Sequence, residues 1–184
     1  MKQLFQKVNA LRLLTHFFDN PHSEAYLRQI ARALRASPAT VMRGLRVLEK
    51  EGLIVKRKEG STAFFKASGS GKFKALKIAY TVGKLGDARI VEHIRENSQG
   101  LSAVLLYGSA ARGEDDATSD YDLLVIAAAC RTRGGELSEM LGREVNLKKY
   151  TIGEWKKISE RDRPFYMEVI SNSISLLGNK PVME

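Results

Sequence analysis

The sequence predicts an α+β chain in two parts: a helical N-terminal part closed by a β-hairpin, then an α/β part built on a mixed sheet. Three observations predict it. Through the first fifty positions the apolar residues recur three and four apart, and two short strand-like runs follow them. Beyond residue 97, strand-length apolar runs alternate with amphipathic stretches. Charge divides along the same lines: residues 1–68 carry 13 Lys/Arg against 5 Asp/Glu, residues 69–97 carry 6 against 3, and residues 98–184 carry 11 against 13.

In the first part, Leu4, Phe5, Val8, Leu11, Leu14 and Phe18 form one face of a helix over 2–18, which Asn20-Pro21-His22-Ser23 ends. A second helix is expected at about 25–35, burying Leu27, Ile30, Ala31 and Leu34. Ser37 then serves as an N-cap and Pro38 as the first helical residue. The third helix buries Val41, Leu45 and Leu48 and stops at Gly52. Runs 53–58 and 61–66 form two strands around the turn Glu59-Gly60. Three helices followed by a two-stranded hairpin make a winged helix-turn-helix, expected over residues 1–68. The phrase from Tyr26-Leu27-Arg28-Gln29-Ile30-Ala31 to Leu53-Ile54 is similar to that of many prokaryotic winged-helix regulators.

In a helix-turn-helix the second helix of the pair enters the major groove, its N-terminal residues toward the base edges. Ser37, Ala39, Thr40, Arg43 and Arg46 lie off the buried stripe and face that groove, while Lys56, Arg57 and Lys58 on the wing face phosphates. Double-stranded DNA is therefore the expected partner of this part. A protein-binding winged helix has the same helical pattern; the basic excess and the Arg43/Arg46 pair favour DNA. Gly44 stands in mid-helix, where it costs about 1 kcal/mol relative to Ala. Close approach of DNA or of a neighbouring helix would each explain it.

Residues 69–97 form a helical connector, interrupted by Gly83 and Gly86, with the apolar positions for a homodimer contact or for packing on its own domain. Two-fold DNA sites favour the homodimer. The last part, 98–184, then reads strand (101–107), short helix (109–114), strand (121–128), helix (134–142), strand (143–149), two helices (152–160 and 163–172) and a short strand or coil over 173–177. Trp155 and Phe165 are expected core anchors.

Chemistry concentrates between residues 107 and 126. Gly108-Ser109 makes a turn after the apolar run 104–107, and Asp120-Tyr121-Asp122 heads the next run after ten intervening residues. Residues two apart on a strand share a face, so Asp120 and Asp122 present adjacent carboxylates. Their repulsion raises at least one pKa unless a cation intervenes. Mg²⁺ takes such oxygens together with substrate phosphates. The glycine allows backbone N–H groups to approach a phosphate closely, and Ser109 adds a hydroxyl.

Gly-Ser-x10-Asp-x-Asp, with the run Ala111-Arg112-Gly113-Glu114, resembles the signature of the minimal branch of the nucleotidyltransferase superfamily, whose DNA polymerase beta-like fold is thereby implied. The resemblance implies a nucleoside triphosphate as substrate or ligand, held by Gly108, Ser109 and Arg112, with metal on Asp120 and Asp122. It also implies a third carboxylate on the strand Arg143-Glu144-Val145-Asn146-Leu147-Lys148, near Asn146, where this chain has an amide. Glu144, two residues earlier, replaces it if the register is shifted. Asn146 can still ligate a metal through oxygen but brings neither charge nor a base.

With the winged helix in front, nearly the whole chain resembles regulators that carry a nucleotidyltransferase domain. The expected function is a DNA-binding transcriptional regulator whose last part binds nucleotide and Mg²⁺. The alternative is an active transferase that moves a nucleoside monophosphate to a protein, RNA or small molecule, or that acts beside a toxin partner as an antitoxin. A single cysteine, Cys130, excludes an internal disulfide framework, and no stretch reads as a signal peptide or membrane span, so a cytoplasmic location is expected. His16, His22 and His93 are too scattered to form a metal site.

Overall fold

The structure, a computed structural model, describes residues 9–183. It forms two compact units, 1–80 and 81–184. The positions Leu4, Phe5 and Val8 assigned to the first helix lie outside the described residues.

The first unit is a winged helix-turn-helix. Helix α1 (Asn9–Asp19) buries Leu13, Leu14, Phe17 and Phe18. A two-residue strand, β1 (Ala25–Tyr26), precedes α2 (Leu27–Ala33), so the second helix is shorter than its sequence pattern indicates. Helix α3 (Pro38–Lys50) starts where Ser37 Oγ accepts from the Thr40 amide at 3.2 Å and buries Val41, Leu45 and Leu48 as expected. Gly52, at φ 68°, turns the chain into β2 (Ile54–Glu59), which pairs antiparallel with β3 (Thr62–Ala67). Strand β1 adds to the other edge of β3 and completes a three-stranded sheet. Its lone two-residue run carried no alternation signal. Gly44 is explained here: a Cβ there would stand 2.9 Å from Leu13 Cδ2, so the glycine lets α3 pack closely on α1. DNA is not needed to account for it.

Helix α4 (Gly71–Asp87) is continuous through Gly83 and Gly86. The helical stretch breaks instead at Arg89, whose φ of 55° separates α4 from α5 (Ile90–Glu96).

The second unit is a four-stranded mixed sheet with helices on both faces. Strand β5 (Ala103–Tyr107) runs into α6 (Gly108–Arg112), and β6 (Tyr121–Ile126) returns antiparallel to β5. After α7 (Gly134–Leu141), strand β8 (Val145–Tyr150) lies parallel to β6, with α7 in the crossover that a parallel pair requires. Helices α8 (Ile152–Arg161) and α9 (Arg163–Asn172) follow, and β9 (Ile174–Leu177) closes the order β8-β6-β5-β9. A two-residue pair, β4 (Ser98–Gln99) with β7 (Ala129–Cys130), had no sequence signal. Leu106, Leu123, Val125 and Leu137 pack on one face with Ile90 and Ile94; Leu105, Leu124 and Ile126 pack on the other with Trp155, Tyr166 and Val169. Trp155 is fully buried, whereas Phe165 is half-buried at the edge of that second layer. Among the described residues no helix is long and apolar enough to cross a membrane.

Candidate functional site

The β5–α6 turn and the head of β6 are brought together by antiparallel pairing, which sets Tyr107 opposite Asp122. Gly108 follows at φ 72°, and a Cβ there would lie 2.2 Å from Asp122 Oδ2. The carboxylate therefore occupies the space a side chain would fill, against the bare backbone of the turn. Ser109 continues the turn, and its carbonyl accepts from the Glu114 amide at 2.9 Å.

On the other side of β6, parallel register sets Asn146 opposite Asp122. Asn146 Nδ2 donates to Asp120 Oδ2 and to Asp122 Oδ1, each at 3.2 Å. The amide thus ties the two carboxylates together. Glu144 meets this region through its backbone carbonyl, which accepts from the Tyr121 amide at 2.9 Å; its side chain is exposed. Burial raises the Asp122 carboxyl above the ordinary carboxylate range; the Asn146 hydrogen bond opposes this, Asp120 adds to it, and the Lys148 and Arg112 charges offset it. Burial, then the Asp122 charge, likewise raises the Tyr107 phenol.

Arg112, half-buried at the end of α6, donates through Nε to Glu114 at 3.0 Å and pairs with Glu168 on α9. Those two carboxylates fix its guanidinium beside the turn. Lys148, two residues after Asn146 on β8, holds its Nζ 3.9 Å from the centre of the Phe165 ring.

A set of residues not evident from the sequence positions the aspartates. Asp116 Oδ1 accepts from the amides and hydroxyls of both Thr118 and Ser119, at 2.8–3.0 Å. Those hydrogen bonds, led by the Thr118 hydroxyl, lower its carboxyl to about 2. Arg143 donates to the carbonyls of Ser119 and Asp116, pairs with the buried Asp115 at 3.1 Å, and lies 4.1 Å from the centre of the Tyr121 ring. The loop that delivers Asp120 is fastened at both ends. The only hint in the sequence was the density of Asp, Thr and Ser over 115–120.

The two adjacent carboxylates are hard donors of the kind Mg²⁺ takes together with substrate phosphates, while the Asn146 amide turns its N–H groups toward them. The donor set fits one such ion, with phosphate oxygens or water completing it. Among the described residues no group of three or more His, Cys, Asp or Glu side chains is placed to hold a metal.

Residues 88–172 match the nucleotidyltransferase domain family. The matched segment contains Gly108, Ser109, Asp120, Asp122 and Asn146. No curated protein matches the chain. Among solved structures, a toxin–antitoxin complex with AMP-PNP shares 21% identity over 54% of this chain and 74% of its own, at a TM-score of 0.41. A protein of Sulfolobus solfataricus thought to be a nucleotidyltransferase shares 21% over 58% of this chain and 88% of its own, at 0.34. Reduced HlyU from Vibrio cholerae shares 26% over 40% of this chain and 74% of its own, at 0.33. These scores are low, and the fold description stands on the chain's own topology.

In the winged helix, Ala39, Arg43 and Arg46 lie exposed at i, i+4 and i+7 of α3, opposite the buried stripe. Ser37 Oγ meets Thr40 Oγ1 at 2.9 Å, and Arg43 reaches that same oxygen at 3.4 Å. Lys56, Arg57 and Lys58 are exposed on β2. Arg57 differs from its neighbours: it pairs with Glu24 and Glu59, each at 2.8 Å, and covers the Phe64 ring at 5.1 Å.

Proposed function

We propose that the chain is a DNA-binding regulator whose nucleotidyltransferase-like domain binds a nucleoside triphosphate with Mg²⁺ and has lost transfer of its nucleotidyl group. The observation that carries this reading is the Asn146 amide, hydrogen-bonded to both aspartates on the strand where a third carboxylate would act as a base. An amide cannot take a proton from an attacking hydroxyl. Asp120 and Asp122 hold the ion, the Gly108-Ser109 turn receives phosphates, and Arg112 stays fixed beside them. Asn146, rather than Glu144, is the third member of the set. The bound ion would supply charge neutralisation at the phosphates.

DNA recognition falls to the exposed stripe Ala39, Arg43 and Arg46 with Ser37 and Thr40 at the N-terminus of α3. An Arg there can contact guanine through two donors, worth roughly 1–3 kcal/mol of discrimination. Lys56 and Lys58 provide phosphate contacts. Arg57, engaged by two glutamates, stiffens the wing sheet and must leave a carboxylate to meet DNA. Two such modules in a homodimer would read a two-fold site. The test is a gel shift on genomic fragments with and without each NTP and Mg²⁺. Arg43→Ala should abolish preference among fragments, and loss of any fragment binding by the unaltered chain would reject the regulator.

The second reading is an active transferase, which would use the same close seating of Asp122 on Gly108 to hold its catalytic ion. It requires a base other than Asn146. Label from an α-labelled NTP that enters an acceptor, and disappears in an Asp120→Ala/Asp122→Ala double variant, would establish it.

A further inference from the structure

Beside the aspartate pair the chain places positive charge where an acidic side chain would serve a metal. Asn146 and Lys148 are alternate residues of β8, so both project to the face that carries Asp122. The Asn146 amide spends its N–H groups on both carboxylates. The Lys148 ammonium acts on the Asp122 carboxylate and rests over the ring of Phe165, a polarisable and uncharged support that leaves its hydrogen bonds available to another acceptor. Arg112, the other cation beside Asp122, is already committed to Glu114 and Glu168.

A pair of divalent ions acting on one phosphoryl centre lies about 3.5–4 Å apart and shares acidic ligands between them. Here a second ion on the β8 side would face amide hydrogens and a lysine ammonium instead of a carboxylate. A fixed positive charge on that side, with no carboxylate beside it on β8, opposes loading of a second cation.

We propose that this site takes a nucleoside triphosphate with one divalent cation, not two, and that Lys148 is the fixed positive charge that faces the phosphates in place of the second ion. The proposal rests on the nucleotide-binding reading of the Asp120/Asp122 site and specifies how that site is charged. Lys148 lies exposed on β8, so replacing it leaves the core of the sheet intact.

Equilibrium dialysis of the full chain against Mn²⁺ and a non-hydrolysable nucleoside triphosphate, with manganese and nucleotide both counted per chain, tests it. The expected result is one Mn²⁺ and one nucleotide per chain. Lys148→Met should keep the count at one and weaken nucleotide binding roughly tenfold, as expected for losing one charge-assisted hydrogen bond. Lys148→Arg should restore most of that affinity. Two Mn²⁺ per chain, or unchanged affinity in Lys148→Met, overturns the proposal while leaving the nucleotide site standing. Absence of any retained nucleotide in the unaltered chain overturns the nucleotide reading itself, and this proposal with it.

Discussion

Gly108→Ala probes the site at its tightest point. The new Cβ would stand 2.2 Å from Asp122 Oδ2 and 3.1 Å from its Cγ. An ordinary contact between a carbon and another heavy atom is about 3.5 Å, so the carboxylate must retreat by about 1 Å. The backbone adds its own cost: at φ 72° a residue with a Cβ is strained by about 1–2 kcal/mol. Mg²⁺ accepts oxygens only near 2.0–2.1 Å, so a shift of that size removes Asp122 as a ligand. Losing one charged ligand is worth about 1.5–3 kcal/mol, or about a 10- to 150-fold loss of Mg²⁺-dependent nucleotide affinity. Titration calorimetry with each NTP and Mg²⁺ reads the affinity, and thermal melting reads the stability. In an Asp122→Ala background the added methyl meets no carboxylate, so its stability cost should fall to the backbone strain alone, and the two substitutions should be non-additive. Wild-type affinity in Gly108→Ala would refute the claim that Asp122 is positioned by that close contact.

Four further outcomes follow from the same geometry. Arg143→Ala removes an ion-pair partner of the Asp115 carboxylate, which is 3% exposed, and should destabilise the second unit by about 3 kcal/mol in chemical denaturation. Asp116 should titrate at about 2 in a carbon-detected NMR series; since its folded pKa lies below the ordinary value of 3.8, the loop's stabilisation is present above pH 3.8 and is lost as pH falls toward 2. Lys56→Ala and Lys58→Ala should each lower the salt dependence of DNA binding by about one phosphate contact without altering fragment preference, as measured by fluorescence anisotropy across salt concentrations. Arg57→Ala, at an exposed ion pair, should change stability by less than about 1 kcal/mol in a thermal melt.

The helical periodicities and strand runs of this chain were legible because each buried face is complete within one element. Val41, Leu45 and Leu48 mark α3, and the unbroken run Leu123-Leu124-Val125-Ile126 marks a strand covered on both faces. Strands β1, β4 and β7 were not legible, since two residues carry no period and their pairing is decided by tertiary neighbours. The helix break at Arg89 was hidden because Gly83 and Gly86 offered more conspicuous interruptions. In the site, spacing located the aspartates and the Gly-Ser turn, and strand alternation set Asp120 and Asp122 side by side. The ties of Arg143 to Asp115, Asp116 and Ser119 join residues 24 to 28 apart and depend on how β8 docks beside β6. The pairing of Arg57 with Glu24 joins residues 33 apart and depends on how the segment before β1 lies against the wing, so it too had no local signal.

The central claim is that the Asn146 amide leaves a site that binds nucleotide and lacks its base. Incubation with α-labelled NTPs and Mg²⁺, with cell extract as acceptor, compares the unaltered chain with Asn146→Asp and with Asp120→Ala/Asp122→Ala. The account predicts nucleotide binding without label transfer in the unaltered chain, and transfer on restoring a carboxylate at 146. Label transfer by the unaltered chain, abolished in the double aspartate variant, would contradict it.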